Sequence, residues 1–269
     1  MTRYRASNSG HHYSIEISGA GPALALLHGF TGAASSWASV TTRLAGACQL
    51  ITIDLLGHGA SDSPADAASY RMESQAADFV DVLDQLAVRD AHLLGYSMGG
   101  RLALYLALRY PGRFRSLILE SASPGLEDEG ERAERRRRDE ALAHAIEAGG
   151  IDAFVQTWES QSLWETQSET LIRRQRRQRA ANEPAGLANS LRGMGAGAQP
   201  NLWPLLPNLS LPTCLIVGER DPKFRRINEA MTAEIAGSRL EIIAGAGHNT
   251  HLEEPRAFCQ CLRSFLESV

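Results

Sequence analysis

Short, largely apolar runs recur along the chain at residues 23–27, 49–54, 91–95, 115–120, 213–217 and 239–243. Their length suits strands, and their near-continuous apolar character suits strands covered on both faces. Between them lie stretches with helical spacing. These are residues 35–44, residues 70–86 with Met72, Ala76, Phe79, Val80, Leu83 and Leu86 on one face, and the run beginning at Leu102. Residues 12–18 alternate apolar and polar positions, which predicts an edge strand ahead of the first buried one. Strand alternating with helix predicts an α/β chain. Its mostly parallel sheet is flanked by helices, and its site lies at the carboxyl ends of the strands.

The pattern changes between Ser121 and about Pro212. Charged helical stretches at 127–148 and 171–179 flank residues 151–164, which supply Phe154, Trp158 and Trp164, and no strand pattern interrupts them. This predicts an inserted all-helical cap over residues 123–207, between a first core part at 1–122 and a second at 208–269. Ten arginines fall in the cap's two charged stretches. Most should pair with Glu131, Glu134 and Asp139 on solvated faces. Two or three facing the pocket would bind carboxylates.

The strand ends carry the chemistry. The run 91–95 closes in Gly95-Tyr96-Ser97-Met98-Gly99-Gly100-Arg101 and is followed at once by a helical pattern. G-x-S-x-G between a strand and a helix is a nucleophile elbow, a sharp turn that pushes the serine hydroxyl out of the sheet. The next amide, that of Met98, then sits at a helix N-terminus, where it can donate to an anion. The run 23–27 ends in His28-Gly29-Phe30, so the amide of Phe30 is a second candidate oxyanion donor. Asp221 and His248 each follow a later strand and a glycine turn, which places both at the edge where Ser97 lies. A serine hydroxyl needs an imidazole to take its proton and a carboxylate to orient that imidazole, and Ser97, His248 and Asp221 fill these roles. Asp62, Asp66, Glu219 and His251 lack the combined strand-end and glycine-turn placement. His28 and His58 are expected to bind local backbone and hold their turns.

Composition narrows the field. A chain of 269 residues, 43% hydrophobic, can bury a substantial core, and its net charge of -4 gives no global attraction to nucleic acid or an anionic membrane. The acidic residues among the arginines also argue against nucleic acid. Cys48, Cys214, Cys259 and Cys261 form no disulfide framework and read as reduced packing residues. No apolar leader or membrane-length run is present, so the expected location is cytoplasmic, without membrane insertion. Dispersed histidines and the absence of a phosphate-binding loop predict chemistry without metal or cofactor.

These motifs identify the chain as similar to the α/β-hydrolase superfamily over essentially its whole length. Within it the chain resembles the 2-succinyl-6-hydroxy-2,4-cyclohexadiene-1-carboxylate synthases of menaquinone biosynthesis. The more particular matches are Arg101, Ser123-Pro124-Gly125-Leu126, Gly218-Glu219-Arg220-Asp221-Pro222-Lys223-Phe224 and Ala246-Gly247-His248-Asn249-Thr250-His251. The resemblance implies a carbon–oxygen lyase that eliminates pyruvate from 2-succinyl-5-enolpyruvyl-6-hydroxy-3-cyclohexene-1-carboxylate, the serine acting as a histidine-activated base. It implies a small polycarboxylate substrate, bound by Arg101, Arg135, Trp158, Arg179 and Tyr96. The rival readings are a hydrolase acting on an ester or a carbon–carbon bond of an acidic substrate, and a binding module.

Overall fold

The computed structural model describes residues 2–269. One eight-stranded sheet organises them: β1 (Thr2–Asn8), β2 (His11–Gly19), β3 (Ala23–Leu27), β4 (Gln49–Ile53), β5 (Ala91–Tyr96), β6 (Phe114–Glu120), β7 (Thr213–Gly218) and β8 (Arg239–Ile243). Their spatial order is β1-β2-β4-β3-β5-β6-β7-β8. The first two strands pair antiparallel, β2 also pairs antiparallel with β4, and every pairing from β4 to β8 is parallel. The alternating stretch expected at the edge is therefore an interior strand, because residues 2–8 add a strand outside it. At the other margin, β8 is only partly buried, and Ile242 is 41% exposed. An outermost strand needs only one apolar face, so the expected full burial of 239–243 does not hold.

The helices are α1 (Ala38–Leu44), α2 (Met72–Gln85), α3 (Met98–Arg109), α4 (Glu129–Glu159), α5 (Glu169–Arg179), α6 (Pro184–Met194), α7 (Pro222–Glu234), α8 (Thr250–Glu253) and α9 (Pro255–Leu266). Successive side chains of a strand face opposite ways, and the core divides accordingly. Leu24, Leu26, Leu94, Ile118 and Ile216 pack with Val40, Phe258 and Leu262 on one face. Ala25, Leu27, Leu93, Leu117 and Leu215 pack with Phe79, Leu102, Leu106 and Met231 on the other. Full burial of one such leucine is worth roughly 1.5–3 kcal/mol.

Between β6 and β7 the regular structure is all helical. Glycine 150 adopts φ 76° and ψ 177° inside α4 and breaks it into two arms. The second arm brings Phe154 and Val155 against Leu187 and Leu191 of α6. Among the described residues, no helix is long and apolar enough to cross a membrane. All four cysteines are free.

Candidate active site

Gly99 explains how the first turn closes. A Cβ there would lie 2.4 Å from the carbonyl oxygen of Leu27, so only glycine lets the start of α3 press against the end of β3. Ser97, between β5 and α3, has φ 50° and ψ −108°. A non-glycine residue in this region costs about 1–3 kcal/mol and persists only where its surroundings hold it. Here its N–H donates to the carbonyl of Glu120 at 2.8 Å, and its carbonyl accepts from the N–H of Arg101 at 3.0 Å.

The loops after β7 and β8 meet in the same way, since a Cβ on Gly218 would lie 2.0 Å from the carbonyl oxygen of Gly247. Asp221 caps α7, its Oδ1 accepting from the N–H of Phe224 at 3.1 Å, while Pro222 starts the helix. Its other oxygen, Oδ2, lies 2.6 Å from Nδ1 of His248. Nε2 of His248 lies 3.1 Å from Oγ of Ser97. Asp221 and His248 are buried, and Phe224 packs on the imidazole at 4.5 Å between ring centroids. With Nδ1 donating to the carboxylate, Nε2 is left to accept from the serine hydroxyl.

Met98 is the first residue of α3, so its amide has no acceptor within the helix. Neither it nor the amide of Phe30 donates to another main-chain group among the described residues. His28 holds the second turn. Its Nε2 accepts from the N–H of Leu55 at 3.0 Å, which makes Nδ1 the donor to the carbonyl of Gly29 at 2.8 Å. His58 likewise donates to the carbonyl of Leu56 at 3.1 Å. Burial lowers the pKa of both rings, that of His58 to about 3 with help from the neighbouring His28.

Arg101, one turn beyond the serine, is largely enclosed. Its Nη1 donates to Oε1 of Gln199 at 3.2 Å, and Gln199 in turn donates to the carbonyl of Ser123. No described carboxylate forms an ion pair with it. Burial pulls its pKa down to about 10, the like charge of Arg135 pulls the same way, and Asp139 opposes them. Arg135 binds Asp139 at 2.8 Å and remains partly exposed.

Arg179 differs. Its guanidinium pairs with Glu159 at 3.1 Å, donates to Gln175 at 2.9 Å and lies over the ring of Trp164 at 4.8 Å. Trp158 packs against Phe30, Phe154 and Trp164, and its buried indole N–H has no partner. Tyr96 stands between His248 and His251, its hydroxyl buried and unpartnered, and burial raises its pKa. A narrow cavity of about 20 Å³ lies against Tyr96, Trp164, Gln175, Arg179, Asn249 and His251.

Glu120, Glu159, Gln199 and His251 were not singled out as site residues by sequence. Glu120 did carry a signal, as a carboxylate closing an apolar run. Glu159 and Gln199 carried none, because only the folding of the helical segment brings them inward. Asp62 pairs with Arg5 and His12, Asp66 caps a 3-10 turn, and Glu219 accepts from Gly245. Among the described residues, no group of three or more His, Cys, Asp or Glu is placed to hold a metal ion.

Comparison with known proteins agrees with this geometry. The family model described as alpha/beta hydrolase fold matches residues 22–255. A Bacillus subtilis (strain 168) protein, provisionally named a 2-succinyl-6-hydroxy-2,4-cyclohexadiene-1-carboxylate synthase, is 42% identical over 267 residues, covering 97% of each chain. The Enterobacter sp. (strain 638) synthase of that name is 33% identical, with 91% of this chain and 92% of its own covered. The solved structure of MenH from S. aureus superposes with a TM-score of 0.90 at 33% identity, covering 96% of this chain and 98% of that one. The chain belongs to the α/β-hydrolase fold family and, within it, to the 2-succinyl-6-hydroxy-2,4-cyclohexadiene-1-carboxylate synthases.

Proposed function

We propose that the chain eliminates pyruvate from 2-succinyl-5-enolpyruvyl-6-hydroxy-3-cyclohexene-1-carboxylate to give 2-succinyl-6-hydroxy-2,4-cyclohexadiene-1-carboxylate. The observation that carries this reading is Arg101. A largely enclosed guanidinium with only a neutral partner, one turn from a serine bonded to a buried histidine, is suited to a polycarboxylate beside a base.

The bond changes follow from the names of substrate and product, since a 3-ene becomes a 2,4-diene. His248 takes the Ser97 proton, and the serine oxygen removes the ring proton at the carbon bearing the succinyl group, which the adjacent ketone acidifies. The C–H electrons pass first into the ketone as an enolate. As the enolate collapses they form the 2,3 double bond, the old 3,4 pair moves to the 4,5 position, and the C5–O bond breaks to release enolpyruvate. The ring proton stays on Ser97 as its hydroxyl, and the proton held by His248 passes to the methylene carbon of the released enolpyruvate, giving pyruvate and restoring the neutral imidazole. Asp221 offsets the imidazolium charge, and the amides of Phe30 and Met98 face the oxygen that gains charge as the ketone enolises.

Arg101 holds a carboxylate, with Arg135 nearby. Trp158 and Phe30 supply an apolar wall, and Tyr96 and Arg179 line the adjoining narrow cavity. The helical segment acts as the cap over this site. No acyl-enzyme forms and no water is consumed, which separates the reaction from ester or carbon–carbon hydrolysis.

The test is pyruvate release, coupled to lactate dehydrogenase, from the enolpyruvyl substrate made in situ. Acceleration by the wild type that is abolished in Ser97→Ala is the expected result. A wild-type rate no faster than spontaneous decay would overturn the lyase reading.

A further inference from the structure

The carboxyl end of β6 holds a buried acid that the elimination does not consume. Glu120 is fully buried, its side chain forms no ion pair with any lysine or arginine, and both its oxygens are engaged. Oε1 accepts from the Thr250 hydroxyl at 2.6 Å and from the N–H of His251 at 2.9 Å, and Oε2 accepts from Nδ1 of His251 at 2.7 Å. Its main-chain carbonyl accepts from the N–H of Ser97 at 2.8 Å. One residue therefore grips the strained serine through its backbone and, through its carboxylate, the first turn after His248.

The same residues clamp the space between them. The His251 ring stacks on Trp37 at 4.1 Å and meets Tyr96 edge-on at 5.1 Å. Tyr96 in turn packs against His248 at 5.5 Å. A buried carboxylate is costly unless donors surround it, and an apolar residue of similar volume could fill the same space. What it adds is direction. Three donors on two oxygens fix α8, and with it the loop carrying His248, relative to the elbow.

We propose that Glu120, acting with His251, is a positioning residue that sets Nε2 of His248 against Oγ of Ser97. The inference rests on the reading of Ser97 as a histidine-activated base. Misplacing such a pair by about 1 Å costs on the order of 100-fold in rate. Glutamine can keep the network. Its carbonyl oxygen accepts from Thr250 and the His251 N–H, and its amide donates to Nδ1 once the ring shifts its proton to Nε2. Leucine keeps the volume and loses every side-chain acceptor.

The experiment compares Glu120→Leu, Glu120→Gln and His251→Phe with wild type in three readouts: pyruvate release, rate of Ser97 labelling by an organophosphonate, and thermal melting. The expectation for folded Glu120→Leu is kcat lower by about 100-fold, KM little changed, and labelling slowed in proportion, with Glu120→Gln within a few-fold of wild type. His251→Phe keeps the stacked ring and removes one bond, and should lose about tenfold in both rates. It carries the test alone if Glu120→Leu does not fold. Unchanged kcat and labelling in the folded variants, whatever their melting temperatures, would overturn the proposal. Labelling needs no enolpyruvyl substrate, so it separates failure of this inference from failure of the lyase assignment.

Discussion

The carboxyl edge of the sheet and the helical segment after β6 place polar groups by different means. At the edge, Ser97, Asp221 and His248 each lie within a few residues of a strand end, and paired strands with tight glycine turns leave little freedom in where they point. In the helical segment the position of a charge depends on helix phase and on how helices meet. Most charges there cancel in ion pairs: Arg132 and Arg136 with Glu129, Arg137 and Arg138 with Glu134, and Arg192 with Glu140 and Glu147. Two enclosed arginines condense the contrast. Arg101, rising from the edge, has only a neutral partner, whereas Arg179 is matched by Glu159, which also binds Arg176. The unmatched cation is the one we propose for a ligand carboxylate; the matched one ties α5 to the end of α4.

The largest effect should come from the edge. Asp221→Asn is expected to lower kcat by roughly 10⁴-fold through loss of the imidazole's orienting charge, while an asparagine still caps α7 and thermal melting hardly moves. Pyruvate release and calorimetry on one preparation check both halves.

The two arginines should then separate in opposite directions. Arg101→Met is expected to reduce kcat/KM by about 100-fold without loss of stability, because a desolvated cation is exchanged for an apolar chain. Arg179→Met strips a buried partner from Glu159 and should destabilise by roughly 3 kcal/mol, and Glu159→Met added to it should recover much of the loss. Urea titration with steady-state kinetics would break the comparison if the two patterns were exchanged.

Protonation gives a smaller, graded effect. The folded pKa values of His28 and His58 lie below the ordinary 6.5, so the unfolded chain binds protons that the folded chain refuses. Their contribution is fully present above pH 6.5 and is lost as pH falls towards about 3 for His58, at up to roughly 1.4 kcal/mol per pH unit for each ring. The acid limb of a stability profile should be shallower in His58→Phe. Smallest of all, Glu134→Gln breaks two exposed pairs and should leave the melting midpoint where it is.

Much of the edge was legible because its signals are local. A strand, a glycine and a reactive side chain lie together in sequence, so Ser97, Asp221 and His248 could be assigned to one margin without knowing the strand order. The order itself was not legible, and residues 2–8, rich in polar positions, gave no apolar run to mark β1 as the strand outside β2. Helix α6 escaped notice because Gly186 and Gly193 interrupt its apolar face. Glu159 looks like any other helical glutamate. Only the chain's return after the break at Gly150 turns it inward towards Arg179.

The strand order also governs when the site comes into being as the chain folds. Ser97 and His248 are 151 positions apart, and His248 follows β8, which pairs with β7 alone at the far margin of the sheet. The strands from β3 to β6 can associate through their own short crossovers, but β7 and β8 must dock across the whole helical segment, and such distant pairings form slowly. After dilution from denaturant, helical ellipticity should therefore return ahead of serine labelling. Recovered turnover then times the last stage of refolding rather than its collapse.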